Sequence, residues 1–150
     1  MRIPLRALGV TVASAALLTV GLTPAMAADG HVYSRVLTYP SGGTSGGESD
    51  ADLNFTGARS VTYNNWTIND TCPGDGYRVI GRARALLTNG AYAYGTWHED
   101  EGTCESADWG PYSNLELNTS TNIVKAGVEI CVDLGSSNKC STSYRDNPHT

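Results

Sequence analysis

The segment richest in groups that can move a proton is Trp97-His98-Glu99-Asp100-Glu101. An imidazole titrates near neutral pH and can act as a general acid or base when a carboxylate holds it in place. Neighbouring side chains of a strand point to opposite faces, however, so Glu99 is poorly placed to orient His98. The chain also lacks the Gly-x-Ser-x-Gly sequence of a serine nucleophile elbow. We therefore assign no catalytic residue, and a small extracellular hydrolase is the weakest of three functional hypotheses.

Carboxylates elsewhere suggest two further kinds of site. Glycoside hydrolysis needs a pair of carboxyl groups about 5 to 9.5 Å apart, for which the candidates are Glu99, Glu101, Glu105 and Asp108. Calcium takes hard oxygen ligands, for which the candidates are Asp50, Asp52, Asp70 and Asp75. Their spacing does not fit a twelve-residue calcium loop, and such residues are common in solvated loops. The sequence predicts no metal site and no cofactor.

Aromatic side chains offer binding rather than catalysis. Exposed rings with a polar edge are what protein-binding and sugar-binding surfaces use, and the large rings here include Trp66, Trp97, Trp109, Tyr112 and Tyr144. A guanidinium opposite an indole can also stack on it. The candidate binding residues are therefore Trp97, Arg82, Arg84, Trp109 and Tyr112. The alternative is that these rings complete a thin core, which we favour for Trp66.

The chain has four cysteines, and four cysteines allow three disulfide connectivities. Cys72 and Cys104 flank the open end of a predicted hairpin, so we expect them to pair. Cys131 and Cys140 then pair across a short turn, and Cys131 falls on the polar face of its strand, which places that bridge outside the main core. The Cys-x8-Cys spacing, with no histidine nearby, does not match a zinc site.

The first 27 residues have the layout of a secretory signal peptide. Arg2 and Arg6 precede the apolar run Ala7 to Leu22, and an Ala-x-Ala sequence ends at Ala27. The run is shorter than the roughly 20 residues that a spanning helix needs, and residue 28 is not a cysteine that a lipid could modify. We expect a secreted, extracellular protein without a membrane anchor, whose residues 28–150 form a single disulfide-bonded domain that is a monomer.

The charge of the chain points away from nucleic acids. The formal net charge is −5, and removal of Arg2 and Arg6 makes it more negative. Binding to phosphate backbones or anionic membranes needs clustered Lys and Arg. We therefore expect no nucleic-acid partner.

The elements that would position these residues are strands. The segment His31 to Tyr39 is rich in residues that favour strands, and the glycine-rich stretch Pro40 to Gly47 predicts a flexible loop. Period-two alternation follows, with the apolar positions at Ala51, Leu53, Phe55, Val61 and Tyr63. The phase slips at Asn64-Asn65, which predicts a bulge there.

A hairpin is predicted between Tyr77 and Glu99, because Asn89-Gly90 suits a two-residue type I′ turn. The pairs that such a turn dictates are Leu87 with Tyr92 and Ala85 with Tyr94 on the inner side, and Arg84 with Gly95, Arg82 with Trp97 and Arg78 with Glu101 on the outer side. The tyrosines would then fill the core opposite small residues. The outer side would carry a basic stripe beside Trp97.

The clearest alternation in the chain occupies one long strand. Its apolar positions are Val124, Ala126, Val128, Ile130, Val132 and Leu134, and its polar ones Lys125, Glu129 and Asp133. Leu115 and Leu117 indicate a shorter strand before it, and no long window shows helical periodicity. The sequence predicts an all-β fold, a two-sheet antiparallel sandwich of seven or eight short strands with two disulfides.

Three motifs resemble one group of proteins. The stretch Asp70 to Tyr77, the Cys131-x8-Cys140 pair and the ending Tyr144 to Pro148 are similar to small secreted proteins of Streptomyces and related actinobacteria. These motifs are turns and bridges rather than catalytic signatures. The resemblance implies a secreted bacterial protein with disulfides, and it transfers no functional residue.

The leading functional hypothesis is a secreted, non-enzymatic β-sandwich that binds an extracellular polysaccharide or protein through rings near Trp97 and Trp109. The second is a protease inhibitor, because a bridged domain can present a rigid loop at little ordering cost. Its bait would be the Cys72 to Tyr77 loop or the Cys104 to Tyr112 loop.

Overall fold

A computed structural model describes residues 29–38, 45–71, 77–100 and 109–150. These residues form strands and turns, and none of them belongs to a helix long and apolar enough to cross a membrane. The strands are β1 (Gly30–Leu37), β2 (Gly46–Gly57), β3 (Ser60–Thr71), β4 (Arg78–Leu87), β5 (Tyr92–Tyr94), β6 (His98–Asp100), β7 (Trp109–Tyr112), β8 (Leu115–Asn118), β9 (Ile123–Asp133) and β10 (Asn138–Asp146).

The predicted two-sheet antiparallel sandwich is confirmed. Sheet A has the order β1-β2-β3, followed by β7 and β8, which both pair with β3. Sheet B has the order β10-β9-β4, followed by β5 and β6, which both pair with β4. The described residues thus form ten strands rather than seven or eight, because the return strand of the hairpin is split in two and Trp109–Tyr112 and Asn138–Asp146 also join the sheets.

The core lies between the two sheets, where the predicted alternation places its apolar side chains. In β2 and β3 all five predicted apolar positions are buried: Ala51, Leu53, Phe55, Val61 and Tyr63. In β9 the buried apolar residues include Ala126, Val128, Ile130 and Val132. A register shift between Leu86 and Leu87 pairs the latter with Ile123. Ile123 is fully buried, whereas Val124 stays half-buried.

The predicted bulge at Asn64-Asn65 is confirmed. Asn65 has a φ of 50°, and the register with β2 shifts between Asp50 and Asp52. The extra residue turns Trp66 inward, where it is only 2% exposed. Its Nε1–H donates to Ser49 Oγ at 2.9 Å, which satisfies the one polar atom of the indole. Trp66 is therefore a core residue, as we favoured.

The hairpin between β4 and β5 exists, but its loop is longer than predicted. Leu87 N–H donates to the Ala91 carbonyl and Gly90 N–H to the Leu87 carbonyl, each at 2.9 Å. Leu87 therefore pairs with Ala91 and not with Tyr92, across a loop of Thr88, Asn89 and Gly90. Gly90 has a φ of 81°, the left-handed conformation with which a three-residue hairpin loop ends. The Asn-Gly signal fits both loops, so it fixed the hairpin but not the register.

This single-residue difference moves two tyrosines to the other side of the sheet. The observed pairs are Arg84 with Tyr94, Ala85 with Ala93 and Leu86 with Tyr92. Tyr92 and Tyr94 therefore lie on the outer face beside the arginines, 42% and 44% exposed, and the prediction that they fill the core is wrong. Gly95 N–H still donates to the Ala83 carbonyl at 3.0 Å, the segment that follows it absorbs the offset, and β6 pairs with β4 in the predicted register.

The predicted disulfide between Cys131 and Cys140 is confirmed. The two residues face each other in β9 and β10, with α-carbons 4.1 Å apart. The bridge lies on the outer face of sheet B, as expected from the polar phase of Cys131, although Cys131 itself is fully buried.

Several predictions fall on residues outside the described ranges. These are the signal peptide, the Cys72–Cys104 disulfide, both bait loops apart from Tyr77 and Trp109 to Tyr112, the carboxylates of Asp75, Glu101, Glu105 and Asp108, and most of the glycine-rich loop. The end of that loop was placed too late, because Gly46 and Gly47 already pair with Leu37 and Val36 in β1.

Candidate functional site

The outer face of sheet B brings together the charged and aromatic residues that the sequence singled out. Because side chains alternate along a strand, Arg82 and Arg84 of β4 both point outward, and Glu129 of β9 lies directly beside Arg82. We call the set Arg82, Arg84, Tyr92, Tyr94 and Trp97 the arginine–aromatic ladder.

Glu129 forms the base of the ladder. Arg82 Nε–H donates to Glu129 Oε2 at 2.6 Å, and Arg84 Nη1–H donates to Glu129 Oε1 at 2.7 Å. The Glu129 side chain is 8% exposed, against 22% and 21% for the arginines. A carboxylate this far from water needs paired charges, and two guanidinium groups supply them. Arg82, Arg84 and Glu129, which we call the triad, together carry a net positive charge.

The rings stand between and beside the guanidinium groups. Arg82 Cζ lies 3.8 Å from the ring centroid of Tyr94 and 4.1 Å from that of Trp97. Arg84 Cζ lies 4.1 Å from the ring centroid of Tyr92 and 5.6 Å from that of Tyr94. The predicted stacking of Arg82 on Trp97 is therefore confirmed. Cation–π attraction adds about 0.5 to 1 kcal/mol for each exposed contact, so rings and arginines fix one another.

A second cation–ring pair continues this face toward β10. Lys125 Nζ lies 4.5 Å from the ring centroid of Tyr144. Gly127 separates Tyr144 from Arg84 in the register of the three strands. A Cβ at Gly127 would overlap the Ser143 carbonyl, so only glycine permits the close approach of β10 to β9 there. Burial raises the pKa of the Tyr144 hydroxyl, which therefore stays a neutral hydrogen-bonding group.

The rim of this face is made of exposed ion pairs. The Nη atoms of Arg78 donate to Glu99 at 3.0 Å and to Asp133 at 2.8 Å, and Glu101, which was predicted to face Arg78, lies outside the described ranges. The hydrogen bond from Arg78 holds the pKa of Asp133 below its ordinary value. Since Glu99 points to this outer face, it does not orient His98, as the sequence suggested.

Trp109 and Tyr112 belong to a different group of rings, at the edge between the two sheets. The Trp109 ring centroid lies 5.0 Å from that of Trp66, 4.1 Å from that of His98 and 4.9 Å from that of Tyr112. No ring contact joins this edge cluster to Trp97 among the described residues. The five candidate binding residues therefore divide into three on the ladder and two in the edge cluster.

A cavity of about 210 Å³ opens beside the edge cluster. Its lining includes Tyr63, Trp66, Thr96, His98 and Glu116. Burial lowers the pKa of His98, so the imidazole is neutral at physiological pH. Within the described part of the chain, no carboxylate forms a hydrogen bond with this imidazole. The geometry of a general base held by an acid is therefore not supported by these residues.

The calcium candidates that the structure describes are dispersed. Asp52 accepts from Asn65 at 2.9 Å and contacts His31 on the outer face of sheet A, and Asp50 accepts from Thr67 at 3.1 Å. The described residues contain no group of three or more His, Cys, Asp or Glu side chains suited to a metal ion.

Sequence reasoning missed three participants in this site. Glu129 was read as a solvated charge, because its strand alternates cleanly and one face had to be polar. Tyr92 and Tyr94 were assigned to the core. The sequence Arg82-Ala83-Arg84 is the signal that could have predicted the role of Glu129. It places two cations on one face of a strand, where a neighbouring anion is favourable.

Comparison with known proteins identifies no relative. No protein-family model, no curated protein and no solved structure matches the chain. The resemblance to secreted actinobacterial proteins therefore stays a prediction.

Proposed function

We propose that this chain is a secreted, non-enzymatic binding protein that recognises a partner protein through the arginine–aromatic ladder on the outer face of sheet B. The observation that carries the proposal is the ladder itself. It combines three rings that are 38% to 44% exposed with two arginines fixed on a buried carboxylate.

The composition of this face supports a protein partner. Interface hot spots are enriched in Trp, Tyr and Arg and lie at the centre of a contact surrounded by a polar rim. The ladder supplies these three residue types, and the ion pairs of Arg78 with Glu99 and Asp133 lie at its margin. Large exposed aromatic patches are uncommon on a protein surface without a binding role.

The ladder is also rigid before any partner arrives. Immobilising a long side chain on binding costs about 0.5 to 1.5 kcal/mol. Glu129 already holds Arg82 and Arg84, and ring contacts hold them from the side. Little of that cost remains for a partner to offset.

A polysaccharide is the alternative ligand, and the guanidinium groups that lie over the rings argue against it. A sugar binds to aromatic side chains by stacking on their open faces. Here guanidinium groups lie over the faces of Tyr92, Tyr94 and Trp97. One face of each ring is therefore already occupied, which leaves less open ring surface for a sugar to stack on.

Two other functions receive less support from the described residues. The hydrolase hypothesis needs a positioned general base, and His98 packs against Trp66 and Trp109 without a carboxylate partner. The inhibitor hypothesis rests on two loops that lie mainly outside the described ranges, although an inhibitor would also bind a protein.

The test is affinity capture from the culture fluid of the source organism with matched variants. Trp97→Ala and Tyr94→Ala remove rings from the ladder, whereas Tyr112→Ala and Tyr33→Ala remove equally exposed rings elsewhere. We expect a partner that quantitative mass spectrometry finds on the wild type and on both controls but not on the ladder variants. A partner retained equally by all variants, or lost only with Tyr112→Ala, would place the binding surface elsewhere.

A further inference from the structure

The ladder has hydrogen-bond donors that the protein does not use. An arginine carries five N–H donors. Among the described residues Arg82 forms one hydrogen bond, from Nε to Glu129, so its Nη1 and Nη2 groups have no protein acceptor. Arg84 uses Nη1 for Glu129 and Thr142, while its Nε is buried without any acceptor.

These donors limit what can cover the ladder. A partner that packs on Tyr94 and Trp97 also removes water from the guanidinium between them, because Arg82 contacts both rings. Removing water from a charged donor without supplying a hydrogen-bond acceptor is strongly unfavourable. The partner must therefore bring an acceptor to Arg82, and an anionic acceptor gives the strongest hydrogen bond.

The charge balance of the triad leads to the same requirement. Two guanidinium groups share the single carboxylate of Glu129. Lys125 adds another positive charge on the same face. The chain as a whole is acidic, Arg78 at the rim is paired with both Glu99 and Asp133, and Asp146 lies opposite Lys125, so the surplus of positive charge is confined to Arg82 and Arg84. One more carboxylate would balance the two arginines.

From these contacts we infer that the partner inserts an Asp or Glu side chain into the ladder, where its carboxylate accepts from the free Nη donors of Arg82 and completes a group of two arginines and two carboxylates. This inference rests on the proposed function and specifies the partner: an acidic protein segment whose carboxylate is flanked by residues that pack on Tyr94 and Trp97. Glu129 supplies one carboxylate and the partner supplies the second.

The outer face of sheet A explains why an acidic segment would bind to sheet B and not to sheet A. That face carries Glu48, Asp50 and Asp52 at alternate positions of β2. An acidic segment is repelled there, whereas at the centre of the sheet B face its carboxylate is attracted to Arg82 and Arg84. The partner therefore finds one face of the sandwich favourable and the other unfavourable, and complementary potentials of this kind set register and suppress wrong contacts.

The experiment is selection of phage-displayed random twelve-residue peptides on the immobilised protein, followed by fluorescence anisotropy of the enriched peptides. We expect the peptides to share an Asp or Glu. Replacing it by Asn or Gln in the peptide, and Arg82→Gln in the protein, should each weaken binding by about tenfold or more. Both changes together should cost little more than one. Arg35→Gln on sheet A is the matched control and should leave affinity unchanged.

The outcomes separate this inference from the proposed function. Neutral or basic peptides that need Trp97 but not Arg82 overturn the acidic partner and leave a protein-binding ladder. Enriched peptides indifferent to every ladder variant, or no enriched peptide, overturn both. Binding of polygalacturonate, but no peptide, through Arg82 would assign an acidic polysaccharide and overturn the protein partner. The effect of the peptide substitution is measured on the wild-type protein. That test of the inference is therefore valid even if Arg82→Gln lowers the stability of the protein.

Discussion

On the outer face of sheet B the carboxylate of Glu129 lies under two arginines with 8% of its side chain exposed, whereas on the outer face of sheet A the side chain of Asp52 is 50% exposed. Both residues belong to central strands of their sheets, and in the sequence both fall on the polar side of an alternating strand. The difference comes from their neighbours. Two arginines held by rings contact Glu129, whereas the side-chain partners of Asp52 among the described residues are His31 and Asn65.

This contrast separates an ordinary polar face from one that contains a buried charge. A surface charge pair contributes about 0 to 1 kcal/mol and rearranges freely. A buried pair costs several kcal/mol of desolvation and persists only when its geometry is good. The sheet B face contains a buried charge pair of this kind, and exposed rings pack on its arginines. The sheet A face has an ordinary exposed polar covering, including the hydrogen bond from Tyr33 to Glu48.

The largest expected effect comes from removing the base of the ladder. Glu129→Ala leaves Arg82 and Arg84 without their shared counter-charge, and we expect a loss of about 3 kcal/mol in the free energy of unfolding. Asp52→Ala on sheet A should cost less than about 1 kcal/mol. Urea denaturation of both variants measures the difference. Equal losses would mean that the two faces do not differ as their burial suggests.

The disulfide gives the second comparison, because its bridge lies on the sheet B face. Cys131→Ala combined with Cys140→Ala removes a bridge between residues 9 apart in sequence. The chain-entropy relation gives a loss of about 2 to 3 kcal/mol for a loop of this size.

Thermal unfolding followed by circular dichroism measures that loss, and replacing both cysteines leaves the other two unchanged. The tight pairing of β10 at Gly127 should keep Tyr144 in place, so peptide or partner binding should survive the double substitution. Loss of binding together with stability would show that the crosslink, rather than side-chain packing, aligns the ladder.

How far the sequence could predict this contrast depends on the range of each signal. Local alternation was enough to predict the sandwich and the burial of Val128 and Ile130, since the faces of a strand follow from its own residues. The pairing of Arg82 with Glu129 joins residues 47 apart, and no local pattern records which strands become neighbours. The Tyr92 and Tyr94 error had a local cause, because Asn-Gly fits two loop lengths whose registers place the rings on opposite faces.

A third, smaller effect tests the stacking within the ladder. Arg82→Lys keeps the charge beside Glu129 but loses the planar guanidinium that contacts Tyr94 and Trp97. We expect a loss of about 1 kcal/mol in unfolding free energy and a change in tryptophan fluorescence. Arg35→Lys on sheet A is the control and should leave the tryptophan fluorescence unchanged. An unchanged spectrum for Arg82→Lys would contradict a structural role for the cation–ring contacts.

The smallest effect belongs to sheet A and concerns pH. The hydrogen bond from the Asn65 amide, opposed by partial burial and aided by His31, lowers the pKa of Asp52 below its ordinary value. A carboxyl group with a depressed pKa in the folded state contributes stability above its unfolded pKa of about 3.9 and loses it as the pH falls through the folded value. Because Asp52 is half exposed, we expect this contribution to the free energy of unfolding to be well under 1 kcal/mol.

Asn65→Ala should raise the pKa of Asp52 in a carbon-detected NMR titration, and the stability gap between wild type and variant should close as the pH falls below 4. A gap that stays constant down to pH 2 would mean that Asn65 stabilises the bulge of β3 rather than the charge of Asp52.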